Sequence, residues 1–255
     1  MTAFYRRLLW LRYRSDMKKH PEEMTMYCPC CGFRLRNFHE GEYRQLPEFY
    51  EPSLFEGIRQ DVQCPVCDSL PRHRILAMWC GSNKDLLTSK DILYFAPERC
   101  MTGWMDRNHI RYKTADLNNP DTDMRLDIQA TGLADGSYDV VICNHVLEHV
   151  GDYNRALAEV RRILRPGGIF ICSFPVSRDV DEVLEDPDAK SEADRLRLYG
   201  QSDHVRLFGI NADKILEQAG LDVTAIDGAD YPDEILPVTG PGKYDINRLY
   251  VCRKG

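Results

Sequence analysis

The sequence predicts an α/β fold with a doubly wound, mostly parallel sheet, preceded by a small cysteine-rich module. Two observations support this prediction. From residue 89 onward, short apolar runs typical of buried strands alternate with segments of helical periodicity. Before residue 89, two pairs of cysteines stand at a spacing typical of metal sites. We therefore divide the chain into residues 1–88 and residues 89–255.

The clearest unit is a strand, a helix and a second strand in the middle of the chain. Tyr138–Cys143 is a short apolar run rich in β-branched residues, which indicates a strand buried on both faces. Asp152 is a suitable cap for the helix that follows, whose apolar residues recur every three or four positions. The Pro-Gly-Gly sequence at 166–168 is expected to stop this helix. Gly168–Pro175 then predicts a second buried strand, parallel to the first.

Further segments extend the predicted sheet on both sides of this unit. They share a short apolar core with polar or turn residues at the ends. The strands are Lys90–Glu98, Arg111–Leu117, Met124–Ile128, Leu221–Ile226 and Asn247–Lys254, and a helix spans Asn211–Gly220.

Polar side chains follow the strand Tyr138–Cys143 with no turn residue between. They are Asn144, His145, Glu148 and His149. In open parallel sheets, ligands bind outside the carboxyl ends of the strands. The sequence therefore predicts a ligand crevice at this edge of the sheet.

The cysteine-rich module is predicted to hold a structural zinc ion. Cys28 and Cys31 form one C-x2-C pair, and Cys64 and Cys67 form another. Each pair is followed by a residue suited to a tight turn, Gly32 or Asp68. Two such knuckles can present four thiolates tetrahedrally to zinc.

The exact ligand set stays open at this point, because Cys30, His39 or His73 can replace one of the four cysteines. Disulfides are disfavoured. The longest apolar run near the start, Leu8–Leu11, is too short for a secretory signal or a membrane span, so we expect a cytoplasmic protein with reduced thiols. Redox catalysis lacks the thioredoxin-like setting that it usually requires.

Composition and charge limit the classes of partner. The 255 residues suffice for one main core and a smaller satellite, and the net charge of −7 argues against a general nucleic-acid binder. Residues 1–20 are nevertheless basic, with six Lys or Arg against Asp16 alone. This segment is either a helix packed on its own domain or a surface for anionic lipid, RNA or another partner. Oligomeric state is not predicted.

The order of motifs after residue 89 resembles the class I S-adenosylmethionine-dependent methyltransferases, the type 11 branch in particular. The matching motifs are TADL at 114–117, DI at 127–128, SYDVVICNHVLEHV at 137–150 and LRPGG at 164–168. The resemblance implies a seven-stranded Rossmann-like sheet whose last strand is antiparallel. It extends to a bacterial subgroup with an N-terminal CxxC/CxxC zinc module, a FAPE first loop and the runs Arg72–Arg74 and Gly200–Arg206.

The resemblance also implies where S-adenosylmethionine binds. Asp116 stands about twenty residues beyond the first loop, the separation at which an acid reaches ribose hydroxyls in related folds. Asp127 and Ile128 would lie beside the adenine, and Asn144 would face the cofactor. The full expected set is Phe95, Ala96, Pro97, Glu98, Asp116, Leu117, Asp127, Ile128, Asn144 and His145.

The first loop departs from the usual pattern of this family. It is normally rich in glycine, which lets the backbone approach the cofactor. Here the loop reads Phe95-Ala96-Pro97-Glu98, and no glycine follows before Gly103. Either the site has decayed, or Glu98 contacts the cationic amino group of the cofactor, and we favour the second interpretation.

Residues 176–209 are expected to form an acidic, irregular lid over the crevice. Within it, His204 is the preferred general base and Arg206 the preferred anchor for an anionic group. Asp203 is a further candidate, although adjacent side chains on a strand point apart, so it is not automatically the partner of His204. His145 and His149 are alternatives for catalysis or for packing; they also stand at zinc-binding spacing, without an obvious third ligand.

The favoured function is S-adenosylmethionine-dependent methyl transfer to a small molecule or saccharide, at oxygen. Two alternatives remain. One is an RNA methyltransferase with a zinc module, although Asn144 is not followed by the Pro-Pro-aromatic signature of amino-methylating enzymes. The other is a non-catalytic scaffold that keeps the fold for protein contacts.

Overall fold

A computed structural model of the chain describes residues 3–39, 62–235 and 248–255. Strands and helices alternate through most of these ranges. The strands are β1 (Met26–Cys28), β2 (Phe33–Leu35), β3 (Ile92–Phe95), β4 (Lys113–Asp116), β5 (Met124–Arg125), β6 (Tyr138–Asn144), β7 (Leu164–Ser173), β8 (Val176–Ser177), β9 (Val183–Leu184), β10 (Leu207–Gly209), β11 (Leu221–Asp227) and β12 (Arg248–Lys254). The helices are α1 (Ala3–Lys19), α2 (Pro71–Ser82), α3 (Arg99–Arg107), α4 (Tyr153–Ile163), α5 (Glu192–Tyr199) and α6 (Asp213–Gln218).

The central sheet has seven strands in the order β11-β12-β7-β6-β3-β4-β5. The strands from β7 to β5 run parallel, and β12 is antiparallel to both of its neighbours. This arrangement confirms the predicted α/β, Rossmann-like sheet with an antiparallel last strand. Its two faces are both covered: Ile92 and Tyr94 belong to one buried cluster, and Leu93 and Phe95 to the other. Burial on both faces explains why these strands read as continuous apolar runs.

The helix α4 begins as predicted and ends earlier than predicted. The side chain of Asp152 caps it by accepting a 3.0 Å hydrogen bond from the backbone N–H of Arg155. The helix ends at Ile163. The Pro-Gly-Gly sequence at 166–168 therefore does not stop it, but lies inside β7. The strand starts at Leu164 because this residue is already buried and pairs with Tyr138, with an irregularity in register beyond it.

The cysteine-rich segment packs directly onto the sheet. Cys28, Phe33 and Leu35 share a buried cluster with sheet residues such as Ile92 and Ile171. The helix α2 lies before residue 89 yet packs against α3 and β12, so by packing it belongs to the layer that covers the sheet. The division at residue 88 stays a prediction, and the two parts share one continuous core.

The buried guanidinium of Arg74 links the cysteine-rich segment to the rest of the chain. It donates to the carbonyl oxygens of Val62 at 2.8 Å, Ser69 at 2.9 Å and Ile235 at 2.6 Å, and it lies 4.0 Å from the centre of the Phe38 ring. These acceptors offset the cost of removing the charge from water. Arg74 therefore joins segments that are distant in sequence.

The segment between β7 and α6 contains strands and a helix, so the expectation that it is irregular is wrong, whereas its role as a lid stays a prediction. Strands β8, β9 and β10 form a small sheet in which β10 is central. The Tyr199 hydroxyl, at the end of α5, accepts a 2.8 Å hydrogen bond from the Asp186 backbone. Most of the acidic side chains of this segment face solvent, while Tyr199 and Leu207 form a small apolar cluster beneath them. We call residues 176–209 the cap.

The basic N-terminal segment is a helix that packs on the cysteine-rich segment. Trp10 of α1 contacts Phe33 edge-on at 5.9 Å, and Asp16 forms a two-point ion pair with Arg36, both hydrogen bonds being 3.0 Å. These contacts favour the packed interpretation, although Leu11 is 49% exposed. Among the described residues, no helix is long and apolar enough to cross a membrane.

Replacing Gly209 by alanine is expected to destabilise the cap. A Cβ atom at this position would collide with the backbone of Val180 and Asp181, which must then move. We expect the free energy of unfolding to fall by about 1–3 kcal/mol, the usual cost of overpacking. Denaturant titration measures this change. The matched control is Gly81→Ala in α2, where the nearest atom, on Trp104, is 3.9 Å away and a small gain is expected; equal effects of the two substitutions would contradict the prediction.

Candidate active site

The carboxyl ends of β3, β4 and β6 lie side by side at one edge of the central sheet. The residues that follow these strands include Glu98, Asp116 and Asn144, which the sequence assigned to one site. Parallel neighbours leave their carboxyl ends on the same edge, so the order β4-β3-β6-β7 brings these side chains to a common crevice.

The loop after β3 replaces glycine with alanine in a left-handed conformation. Ala96 has φ +46°, a region that residues other than glycine rarely adopt. Its backbone N–H donates a 2.9 Å hydrogen bond to the Ala115 carbonyl oxygen, which fixes the loop to the end of β4. Pro97 and Glu98 follow it, and α3 begins directly afterwards. The loop thus makes the same turn that a glycine would make, with the smallest side chain available.

Glu98 is held by three side chains of the protein itself. Its carboxylate accepts a 3.1 Å hydrogen bond from the Tyr94 hydroxyl, lies 3.3 Å from Arg72 Nε and pairs closely with His73 Nε2. Burial alone would raise the pKa of Glu98, but His73 and Arg72 outweigh it and hold this pKa well below its usual range. Glu98 is therefore already paired with cationic side chains of the protein, and its contact with the amino group of the cofactor stays a prediction.

Asp116 lies at the end of β4 with one carboxylate oxygen engaged. Its Oδ1 accepts hydrogen bonds from the backbone of Asn118 at 2.7 Å and of Asn119 at 2.8 Å. Within the described part of the chain, Oδ2 accepts none. The next residue, Leu117, is 46% exposed, which places an apolar surface beside a carboxylate oxygen.

The Asp127-Ile128 pair follows β5. Asp127 Oδ1 accepts a 2.8 Å hydrogen bond from the Gln129 backbone, forming a tight turn. Ile128 is buried in the cluster beneath the sheet edge. A carboxylate in a turn and a buried apolar residue thus follow one another shortly after β5.

Asn144 and His145 form the opposite wall. Asn144 is buried, and its Oδ1 accepts a 3.1 Å hydrogen bond from the Ser173 hydroxyl. His145 has φ +51°, and its backbone N–H donates a 2.7 Å hydrogen bond to the Ser173 carbonyl oxygen. The chain turns sharply here, so the residues after β6 leave the sheet and enter the crevice.

Glu148 is a site residue to which the sequence gave no role. Its side chain is only 1% exposed, and its Oε1 lies 3.2 Å from His145 Nδ1. Burial raises the pKa of this carboxyl, but His145, His204 and His149 together bring it below its usual value. The signal in the sequence was its place between two histidines that follow a buried strand.

His149 and His204 meet in front of Glu148, with ring centres 4.7 Å apart and planes at 79°. His149 Nδ1 lies 3.2 Å from the backbone oxygen of Asp203 and 3.3 Å from its Oδ2. His204 Nδ1 lies 3.2 Å from the Tyr199 carbonyl oxygen. Asp203 therefore contacts His149 rather than its neighbour, and burial, the largest influence, lowers the pKa of His204.

The role expected for Arg206 does not fit its placement. The guanidinium is 2% exposed and donates to the carbonyl oxygens of Leu147 at 2.6 Å, Val150 at 2.5 Å and Gly151 at 3.1 Å, while Nε pairs with Glu185. Every guanidinium nitrogen is thus occupied by the protein. Arg206 fixes the cap to the loop after β6 and is not free to anchor an anionic substrate.

Comparison with known proteins identifies the central part of this site. Residues 100–172 match the family described as a methyltransferase domain, type 11. The matched range runs from α3 through β4, β5, β6 and α4 into β7, and so contains Asp116, Asp127 and Asn144. This part of the chain is therefore similar to a methyltransferase domain. The strand order of the whole sheet, with its antiparallel β12, agrees with this assignment.

Curated relatives share only parts of this domain. A thiol S-methyltransferase from Homo sapiens, TMT1B, is 44% identical over 73 residues, which are 28% of this chain and 27% of that protein. An uncharacterized 37.1 kDa protein in transposon TN4556 of Streptomyces fradiae is 33% identical over 121 residues, 46% of this chain and 34% of that protein. The chain thus spans about a third or less of the length of these two relatives.

A solved structure of similar shape is the 1,6-didemethyltoxoflavin-N1-methyltransferase of Burkholderia thailandensis, with 1,6-didemethyltoxoflavin and S-adenosylhomocysteine bound. It is 16% identical, with a TM-score of 0.45, over 72% of this chain and 76% of that chain. The assignment of the methyltransferase domain depends on the family match and the strand order, not on this likeness.

Next to the methyltransferase domain, four cysteine sulfurs gather in one cluster. The sulfurs of Cys28, Cys31, Cys64 and Cys67 all lie within 4.8 Å of one another. The Sγ atoms of Cys28 and Cys67 are 3.7 Å apart, and those of Cys31 and Cys64 are 3.8 Å apart. A tetrahedral zinc with bonds of about 2.3 Å spaces its sulfurs by about 3.8 Å. The donor set and spacing therefore fit zinc.

The turns around these cysteines have the geometry of zinc knuckles. Gly32 (φ +77°) and Asp68 (φ +62°) follow the two pairs in left-handed conformations, and their backbone N–H groups donate to the carbonyl oxygens of Cys28 and Cys64 at 2.7 and 2.9 Å. His73 is turned away from the sulfurs, because its Nδ1 lies 2.8 Å from the backbone nitrogen of Leu70 and its Nε2 pairs with Glu98.

The two other alternative ligands also lie outside the sulfur cluster. Cys30 is buried and interacts with Cys100. His39 forms a backbone bridge with Gln63, and its Nε2 lies 3.5 Å from the Tyr13 hydroxyl. Neither residue belongs to the group of four sulfurs that lie within 4.8 Å of one another.

The Glu98–His73 pair is expected to make the stability of the methyltransferase domain depend on pH. Burial lowers the pKa of His73, but Glu98 outweighs it and raises this pKa from 6.5 to about 9. The contribution of the pair is therefore fully present below about pH 6.5 and is lost as pH rises through about 9. We expect Glu98→Gln to lower the free energy of unfolding by about 3 kcal/mol near pH 6.5, because it breaks a buried pair.

Urea unfolding at pH 6.5 and pH 10 checks this prediction. The difference between the wild type and Glu98→Gln should shrink at the higher pH. The control is Asp85→Asn, which changes an exposed carboxylate and should have little effect at either pH. A difference that is independent of pH would mean that His73 and Glu98 do not form a charged pair.

Proposed function

We propose that this chain is an S-adenosylmethionine-dependent methyltransferase that methylates a small molecule or saccharide at an oxygen atom. One observation supports the proposal: the loop after β3, Asp116, Asp127 and Asn144 all stand at the carboxyl edge of one parallel sheet. When bound there, S-adenosylmethionine supplies the methyl group as an electrophile. The protein then has to hold two reactants in line and, for a hydroxyl acceptor, to manage one proton.

The residues around the crevice are each expected to bind a different part of the cofactor. Asp116 Oδ2 is available to accept hydrogen bonds from a ribose diol, and exposed Leu117 offers an apolar surface beside it. Asp127 and Ile128 offer a polar rim and a buried floor for an adenine. The tight turn at Ala96 lets the backbone approach the cofactor as a glycine-rich loop would.

The acceptor is expected on the side of His149 and His204, where the cap is hydrogen-bonded to the loop after β6. The acidic balance of the chain favours a small acceptor over RNA. The name of the human relative specifies a thiol acceptor for that protein, so thiols belong among the test substrates beside alcohols and sugars. Proton removal falls to one of the histidines of this wall.

We also propose that Cys28, Cys31, Cys64 and Cys67 hold a structural zinc ion. The support comes from the sulfur spacing and from the two knuckle turns. The hydroxyl of Ser69 lies 3.1 Å from Cys28 Sγ, and α2 begins at Pro71, so the metal would fix the position from which Arg72 and His73 reach Glu98. The zinc would therefore affect the cofactor loop only by holding the start of α2 in place.

Cofactor binding is tested by calorimetric titration with S-adenosylhomocysteine. We expect Asp116→Ala to weaken binding by roughly 10- to 100-fold, because hydrogen bonds to a charged group are lost. The control is Asp121→Ala, an exposed acid of the same loop, which should bind as the wild type does. Absence of binding by the metal-loaded wild type would refute the enzyme and favour a non-catalytic scaffold.

Zinc binding is tested by elemental analysis of purified variants. We expect Cys31→Ser to lose the metal and to unfold at lower temperature, since a structural zinc contributes to folding directly. Cys30→Ser is the control, because Cys30 is the adjacent, more deeply buried cysteine and lies outside the sulfur cluster, and it should keep one zinc per chain. Loss of metal from Cys30→Ser alone would overturn this ligand set.

A further inference from the structure

We propose that Glu148, His149 and His204 form a second metal site, one that binds a divalent transition-metal cation in the crevice. One possible ligand atom from each residue lies within 4.8 Å of the other two. The site is distinct from the cysteine cluster, and it supplies nitrogen and oxygen donors in place of sulfur. Nothing in this proposal requires that the chain transfer methyl groups.

The strongest evidence is the carboxylate of Glu148. It is 1% exposed, and within the described part of the chain neither of its oxygens has a hydrogen-bond partner. The nearby His145 Nδ1 lies 3.2 Å from Oε1 and is an ion-pair partner of that oxygen when the ring is protonated, so among the described residues Oε2 is left without a partner. A buried carboxylate with an unpaired oxygen is costly, and a bound cation is an arrangement that removes this cost.

The two histidines are oriented as metal ligands usually are. A ligating imidazole normally binds the metal through one nitrogen and donates its other N–H to an oxygen. His149 Nδ1 lies 3.2 Å from the Asp203 backbone oxygen, and His204 Nδ1 lies 3.2 Å from the Tyr199 carbonyl oxygen. With Nδ1 engaged in both rings, Nε2 is left with a lone pair for a cation.

The backbone around the site is fixed from both sides. The Val205 N–H donates a 2.9 Å hydrogen bond to the Glu148 carbonyl oxygen, so the cap and the loop after β6 are joined next to the three ligands. Arg206 adds its bonds to Leu147, Val150 and Gly151. A cation with bonds of about 2.1 Å places neighbouring donors roughly 3 Å apart. The three donors, which lie within 4.8 Å of one another, would move closer together when the cation binds.

The donor set selects the kind of cation. Two imidazoles and one carboxylate suit manganese, iron, cobalt or zinc, whereas calcium and magnesium prefer oxygen ligands alone. The His149 side chain is 33% exposed, so one side of the site faces the crevice and leaves coordination positions for water or an acceptor hydroxyl. Such a cation would lower the pKa of a bound hydroxyl, and this last consequence depends on the proposed function.

The test uses the full chain with its cysteine site loaded with zinc. Mn²⁺ is the probe because thiolates bind it weakly, and free Mn²⁺ is measured by electron paramagnetic resonance during titration. We expect one bound Mn²⁺ per chain, with affinity reduced at least about tenfold in Glu148→Gln and in His204→Gln. Equilibrium dialysis with zinc should give two zinc ions per wild-type chain and one in each variant.

The control is His20→Asn. His20, Glu22 and Glu23 also bring possible ligand atoms within 4.8 Å of one another, but on an exposed surface, and this substitution should leave Mn²⁺ binding unchanged. Thermal unfolding shows whether the buried variants fold, and if one fails, His149→Asn decides, because its side chain is partly exposed. Binding that persists in His149→Asn, or that disappears in His20→Asn, would overturn the proposal.

The metal site and the proposed methyl transfer can be refuted independently of each other. A wild type that binds neither Mn²⁺ up to about 1 mM nor a second zinc ion overturns the metal site, whatever its affinity for S-adenosylhomocysteine. A chain that binds Mn²⁺ through Glu148 but does not bind S-adenosylhomocysteine keeps the metal site and loses the proposed methyl transfer.

Discussion

The structure depends on one buried charge cluster, the carboxylate of Glu98 with Arg72, His73 and Tyr94. Glu98 belongs to the loop that shapes the crevice, whereas Arg72 and His73 open the helix α2 directly after the second cysteine knuckle. A buried carboxylate must keep its partners, so the loop and the knuckle cannot move independently. The cysteine segment is therefore part of the architecture of the crevice, and the shared core beneath it has the same effect.

Arg206 has the corresponding role on the opposite wall of the crevice, which contains Asn144 and His145. Its guanidinium joins the cap to three carbonyl groups of the loop after β6, at the point where that loop carries Glu148 and His149. The ring of Tyr153 lies 5.0 Å beneath it. In both walls, an arginine from a segment distant in sequence fixes a loop at the end of a strand. Because the ties are internal, the crevice has its shape before any ligand arrives.

The sequence predicted those features that depend on local patterns. The alternation of strands, the Asp152 cap and the two cysteine knuckles each occupy a few neighbouring residues, and hydrophobic period and turn preference specify them. The cationic partners of Glu98 and the carbonyl contacts of Arg206 lie 25 or more residues away in sequence, so no local pattern reports them. Arg206 looked like an anion anchor because a basic residue beside a histidine suggests binding, and only its burial shows otherwise. The acidic cap looked irregular because its outward side chains outnumber its few buried ones.

The position of β12 has a consequence for how the chain reaches this fold. This strand lies between β7 and β11, although both precede it in the sequence. Until Arg248–Lys254 has been synthesised, β7 and β11 each have an unpaired edge, and the apolar residues of β7 have no neighbour on that side. Exposed edges of this kind invite pairing with other chains. Folding of this sheet is therefore completed only after β12 has been synthesised, and a nascent chain that stalls before β12 depends on protection from aggregation.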